Sequence, residues 1–110
     1  MKTQENYLEK IPLHNQDIDW SLDQKQLVTI EMQNKGLANL LAQKLLKKPK
    51  TSFVHLDEFG SFVWRQIDGT RNIIAIGELV REQFGEKAEP LYERLSQYIQ
   101  TLESNKFVKF

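Results

Sequence analysis

The 110-residue chain contains no cysteine, which excludes a disulfide framework, a thiolate zinc site and a cysteine nucleophile. Neither sign of charge is in excess. Fifteen Lys and Arg balance 15 Asp and Glu for a formal net charge of +0, with a pI near 6.7. No global field therefore draws the chain to nucleic acid or to an anionic membrane, and neither is an expected partner. No apolar run approaches the roughly 20 residues of a membrane span. The opening "MKTQENYLEK" lacks the apolar core of a secretory signal, so the cytoplasm is the expected location. Repeats and low-complexity tracts are missing too. So are a phosphate-binding glycine loop, a nucleophile motif and a close pair of carboxylates, which argues against an enzyme. His14 and His55, far apart and without cysteine, make a poor metal site. Neither metal nor cofactor is expected.

What the sequence does contain is the make-up of an ordinary globular protein, 40% hydrophobic and 27% charged. Residues 1–110 suit one domain with one core. Before Pro49, "IPLH" and "LVTIEMQ" are short β-prone runs, the second alternating Val28, Ile30 and Met32 against Thr29, Glu31 and Gln33. They predict two strands joined by a polar turn. "GLANLLAQKLLKK" follows, with Leu37, Leu41 and Leu45 at four-residue spacing beside Ala38 and Leu40. It predicts an amphipathic helix whose last turn is rich in lysine and which Pro49 stops. Lys44, Lys47, Lys48 and Lys50 read as the solvated end of that helix. "TSFVHL" is a third strand.

The densest stretch is "HLDEFGSFVWRQIDGTRN", residues 55 to 72. Asp57 is placed to cap a helix and Glu58 to favour its N-terminal dipole. Phe59, Val63 and Ile67 form its apolar stripe with Phe62 on the flank. Gly60 lies inside this helix at a cost of about 1 kcal/mol relative to alanine, so a close backbone approach is expected there. Trp64 falls off the stripe and is expected to be covered by the leucine-rich helix. Asp68–Gly69 ends the helix in a turn. A second helix is predicted from Ile73 to Phe84, capped by Asn72 and stopped by Gly85, and a third from Glu89 to Ser104 with Leu91, Leu95, Tyr98 and Leu102 in line. "FVKF" closes the chain as a short strand. The expected fold is α+β and winged helix-turn-helix-like. A small N-terminal antiparallel sheet of about three strands precedes three helices, with an extra helix before the third strand and a short C-terminal strand.

"LDEFGSFVWRQIDGTRNIIAIGELVREQFG" followed by "LYERLSQYIQTLESNKFV" resembles the PqqD family. The matching positions are Leu56, Asp57, Val63, Ile67, Asp68, Gly69, Arg71, Asn72 and Ile76, then Leu95, Leu102 and Phe107, within residues 52 to 110. The resemblance implies a binding module, a RiPP recognition element. Such a domain takes the leader of a precursor peptide as an added strand and presents it to a modifying enzyme, in the namesake case a radical S-adenosylmethionine protein of pyrroloquinoline quinone biosynthesis. Carried onto this chain, the receiving edge is Thr51, Ser52, Phe53, Val54 and His55, faced by Tyr92, Leu95, Tyr98 and Ile99. An exposed strand edge suits this task because its backbone groups are unpaired. The same edge suits a second copy, so monomer and edge-strand homodimer both remain open. Two other classes stand beside this one: an assembly protein that keeps the fold without binding peptide, and a DNA-binding helix-turn-helix protein. The last is disfavoured because the third helix sets Glu89, Glu93 and Glu103 against Arg94 alone.

Overall fold

The computed structural model describes residues 7–33 and 51–110. The leucine-rich stretch expected as an inserted helix, with its four lysines, lies outside the described residues. The strands are β1 (Leu13–His14), β2 (Asp19–Leu22), β3 (Val28–Gln33), β4 (Thr51–His55) and β5 (Val108–Lys109). The helices that follow β4 are α1 (Glu58–Gln66), α2 (Ile73–Phe84) and α3 (Leu91–Ser104), with a 3₁₀ turn at Gly85–Ala88 between the last two. Together they form an α+β chain built on two small antiparallel sheets.

The sheets differ from the expected pairing. The "IPLH" run does contribute β1, but its partner is β5 at the other end of the chain, in the order Leu13 to Lys109 and His14 to Val108. The strand that pairs with β3 is β2, "DWSL", which forms the outer member of a β2–β3–β4 sheet. All four β2 residues are exposed, so β2 carries no buried alternation from which to read a strand. Its position comes from the turn that follows. Asp23 accepts from the backbone N–H of Lys25 at 2.7 Å and of Leu27 at 3.0 Å, closing the hairpin. Trp20 then stands opposite Ile30, and Ile30 opposite Val54.

Val28 and Ile30 project from this sheet into the core. They meet Val63, Trp64 and Ile67 from α1, Ile73, Ile76 and Val80 from α2, and Leu91, Leu95, Ile99 and Leu102 from α3. Each such aliphatic side chain contributes about 1.5–3 kcal/mol relative to its exposed state. The helix ends follow their caps. Asp57 accepts from Gly60 N–H at 2.8 Å, and Asn72 from Ala75 N–H at 2.9 Å. The third helix begins two residues later than expected, because Glu89 is extended and Pro90 takes the N-cap position.

Trp64 is fully buried, as expected. The leucine-rich helix expected to cover it lies outside the described residues, and among the described residues the first two strands lie over its ring. His14 stacks on its ring at 4.0 Å, only 9° from parallel, and Trp20 meets it edge-on at 5.9 Å. His14 Nε2 also donates to Trp64 O at 3.0 Å, which ties β1 to α1.

Candidate functional site

The junction between β4 and α1 is fixed by a buried serine. Ser61 Oγ accepts from Val28 N–H at 2.8 Å and donates to Leu56 O at 3.3 Å. Leu56 N–H in turn donates to Val28 O at 2.9 Å, extending the β3–β4 register by one residue. That bond sets the phase of the ladder. In an antiparallel pair, bonded and non-bonded residue pairs alternate. Counting back from Val28–Leu56, the pairs Ile30–Val54 and Met32–Ser52 exchange backbone bonds, while Thr29–His55, Glu31–Phe53 and Gln33–Thr51 do not. Thr51, Phe53 and His55 therefore turn their backbone N–H and C=O away from β3. Among the described residues β4 has no neighbour on that side.

Side chains along β4 alternate in the other sense. Phe53 and His55 are exposed, Phe53 at 57%, on the outer face of the sheet, while Ser52 and Val54 are half-buried. His55 Nδ1 lies 3.0 Å from Thr29 Oγ1, a local contact across the strand pair.

After β4 in the chain, the first turn of α1 and the flank of α3 border a shallow, open cleft of about 410 Å³, lined by Phe59, Arg94, Gln97, Tyr98 and Thr101. Its walls are packed rings. Phe59 lies 6.0 Å from Tyr98 and 5.7 Å from Phe84. The Arg94 guanidinium sits 4.5 Å over the Phe59 ring and donates to Lys87 O at 2.7 Å. Tyr98 reaches this position across Gly60, where a methyl group would come within 2.9 Å of the ring carbon Cζ. The close approach expected at Gly60 is thus an approach of Tyr98. Burial pushes the Tyr98 phenol well above its ordinary value, and the nearby Asp57 charge adds to the rise.

Of the four wall residues expected on α3, Tyr98 lines this cleft. Leu95 and Ile99 are fully buried and belong to the core. Tyr92 leans on α2, where its ring fills the space over Gly77 and its hydroxyl reaches Ile74 O at 3.3 Å and Glu78 Oε2 at 3.0 Å. Burial first, and then the bond to Glu78, raise the Tyr92 phenol. Phe59, Arg94, Gln97 and Thr101 were missed. The available signal was helical spacing: 94, 97 and 101 share a face beside Tyr98 and flank the apolar stripe. Among the described residues, no group of His, Asp or Glu is arranged to hold a metal ion.

Residues 41–108 match the family model described as Coenzyme PQQ synthesis protein D (PqqD). The chain belongs to the PqqD family. No curated protein and no solved structure matches it significantly. The span shared with the PqqD model takes in β4, all three helices and the first residue of β5. Within it, the Asp-Gly pair typical of the PqqD resemblance has a structural task. Asp68 Oδ1 accepts from the backbone N–H of Thr70 at 2.9 Å and of Arg71 at 3.0 Å, and from the Thr70 hydroxyl at 2.9 Å. These bonds, led by that from Thr70 N–H, lower the Asp68 carboxyl to about 2. Arg71 then pairs with Asp68 at 3.2 Å and donates to Gln66 O at 3.0 Å, locking the α1–α2 corner.

Proposed function

We propose that this PqqD-family chain binds the leader segment of a precursor peptide as an added strand on β4 and presents it to a modifying enzyme, a radical S-adenosylmethionine protein being the type the family suggests. The observation that carries the reading is the phase of the β4 edge. Phe53 and His55 offer outward backbone donors and acceptors at the two-residue period that an incoming strand requires. On this reading residues 1–110 act as one winged-helix unit. The helix-turn-helix is made by α2 and α3, and the β1–β5 pair takes the place of the wing. The chain supplies binding and no catalysis, and it works in the cytoplasm. The edge of β4, with Thr51 and Ser52 at its start, forms one side of the peptide site, and Tyr98 contributes from α3. Leu95 and Ile99 support that wall from beneath.

Two other readings are weaker. Recognition of a DNA duplex by α3 would bring Glu93 and Glu103 towards phosphates with Arg94 as the sole basic residue of the helix. A pure assembly protein would use the same edge for a second copy, and a peptide would then compete with the homodimer.

The test is a proline at the outward position. A proline at residue 53 removes an outward N–H and leaves the bonds to β3 in place, so Phe53→Pro should stay folded and lose leader affinity by about tenfold or more. Phe53→Ala should bind within about threefold of the parent chain, because main-chain bonds supply most of the affinity. Val54→Pro, by contrast, should unfold the sheet, since Val54 bonds to β3. Calorimetric titration with synthetic leader peptide, with circular dichroism as the fold check, reads all three. A folded Phe53→Pro chain with full affinity rules out strand addition at β4.

A further inference from the structure

Arg94 is the one charged side chain lining the cleft between α1, which follows β4 in the chain, and α3. A guanidinium carries five N–H donors in a planar fork suited to a carboxylate. Here one face of the fork lies on Phe59 and one nitrogen is committed to Lys87 O. Ion pairs among the described residues go to Arg71 and Arg81, and none to Arg94. The carboxylate of Asp57 is occupied at the cap of α1. Stacking and the bond to Lys87 O hold the fork in one orientation, so little side-chain freedom is lost when a ligand arrives. The remaining walls offer the rings of Phe59 and Tyr98 and the polar tips of Gln97 and Thr101.

We infer that this domain selects peptides bearing an acidic side chain, whose carboxylate binds Arg94, with an apolar or aromatic residue two positions away that packs on Phe59 and Tyr98. The spacing follows from strand geometry, since residues two apart on an added strand share the face turned towards the cleft. This rests on peptide addition at β4 and goes beyond it by naming which peptides are taken. Arg94 is thus a specificity residue. The partner strand supplies affinity through its backbone and identity through one carboxylate.

A random peptide library displayed on phage and selected on the full chain tests this. Peptides whose binding is lost with Phe53→Pro should share Asp or Glu at one aligned position and an apolar residue two places from it. Changing that acid to its amide in a synthetic peptide should weaken binding to the parent chain by about tenfold. It should change binding to Arg94→Gln by less than about twofold, which gives a coupling measured from the peptide side even if the variant is somewhat destabilised. Arg94→Glu should select Lys or Arg at the same position. If the Phe53-dependent peptides show no acidic position, or if the acid-to-amide change costs the same with Arg94→Gln, the inference fails while strand addition stands. If no selected peptide depends on Phe53, strand addition itself fails.

Discussion

Gly60 shows how a single atom's absence shapes the site. As a helix-interior glycine on propensity alone, Gly60→Ala would gain about 1 kcal/mol. The ring of Tyr98 reverses that expectation, since the new methyl would sit 2.9 Å from Cζ and closer still to the hydroxyl, in a place where the ring packs against Phe59. The ring is rigid and half-buried, so it must shift as a whole. Gly60→Ala should therefore destabilise the fold by about 1–3 kcal/mol net. The penalty should shrink by about 1 kcal/mol or more when Tyr98 is alanine, as a double-mutant cycle of denaturant midpoints would record. A simple gain in stability from Gly60→Ala would mean that Tyr98 does not rest on this backbone. The sequence disclosed that something must approach Gly60, since a glycine inside an otherwise regular helix needs a reason. It did not disclose Tyr98, which lies 38 positions further on and meets Gly60 only through the packing of α3 on α1.

At the scale of elements, the helices were legible because their signals are local. Asp57 and Asn72 cap where short acceptors should, and the apolar stripes of α1, α2 and α3 are the faces that reach the core. The strands were less so. β2 is exposed along its length, so no buried alternation announces it, and β1 finds its partner only at Val108 and Lys109, at the far end of the chain. The same limit applied to the cleft. Periodicity identifies Leu95 and Ile99 as a buried stripe, while the groove is made by the flank beside it. The docking of β1 on α1 also brings a titration. Burial lowers the His14 imidazole from its ordinary value of about 6.5, partly offset by its bond to Trp64 O. The unfolded chain then binds a proton that the folded chain resists, so stability is complete above that value and falls as pH drops below it. Denaturant midpoints should decline as pH falls below about 6.5, and His14→Gln should flatten that decline. An unchanged slope in the variant would remove His14 from the account.

For the whole molecule, the parts serve one geometry. The buried Ser61 anchors the end of β3 and β4 to α1, the cap of α1 sets Phe59 at the mouth of the cleft, and α3 brings Tyr98 and Arg94 alongside. The neutral charge balance of the chain leaves recognition to this local arrangement instead of a general field. Its central claim is that a peptide continues the β2–β3–β4 sheet at β4. Amide hydrogen exchange, followed residue by residue in the free chain and with saturating leader peptide, tests that claim most directly. In the free chain Ser52 and Val54 should already be protected through β3, while Phe53 and His55 exchange quickly. With peptide bound, Phe53 and His55 should slow by about tenfold or more and Ser52 and Val54 should change little. Protection that leaves Phe53 and His55 untouched, or that appears instead along Asp19–Leu22 at the other edge of the sheet, would contradict the account.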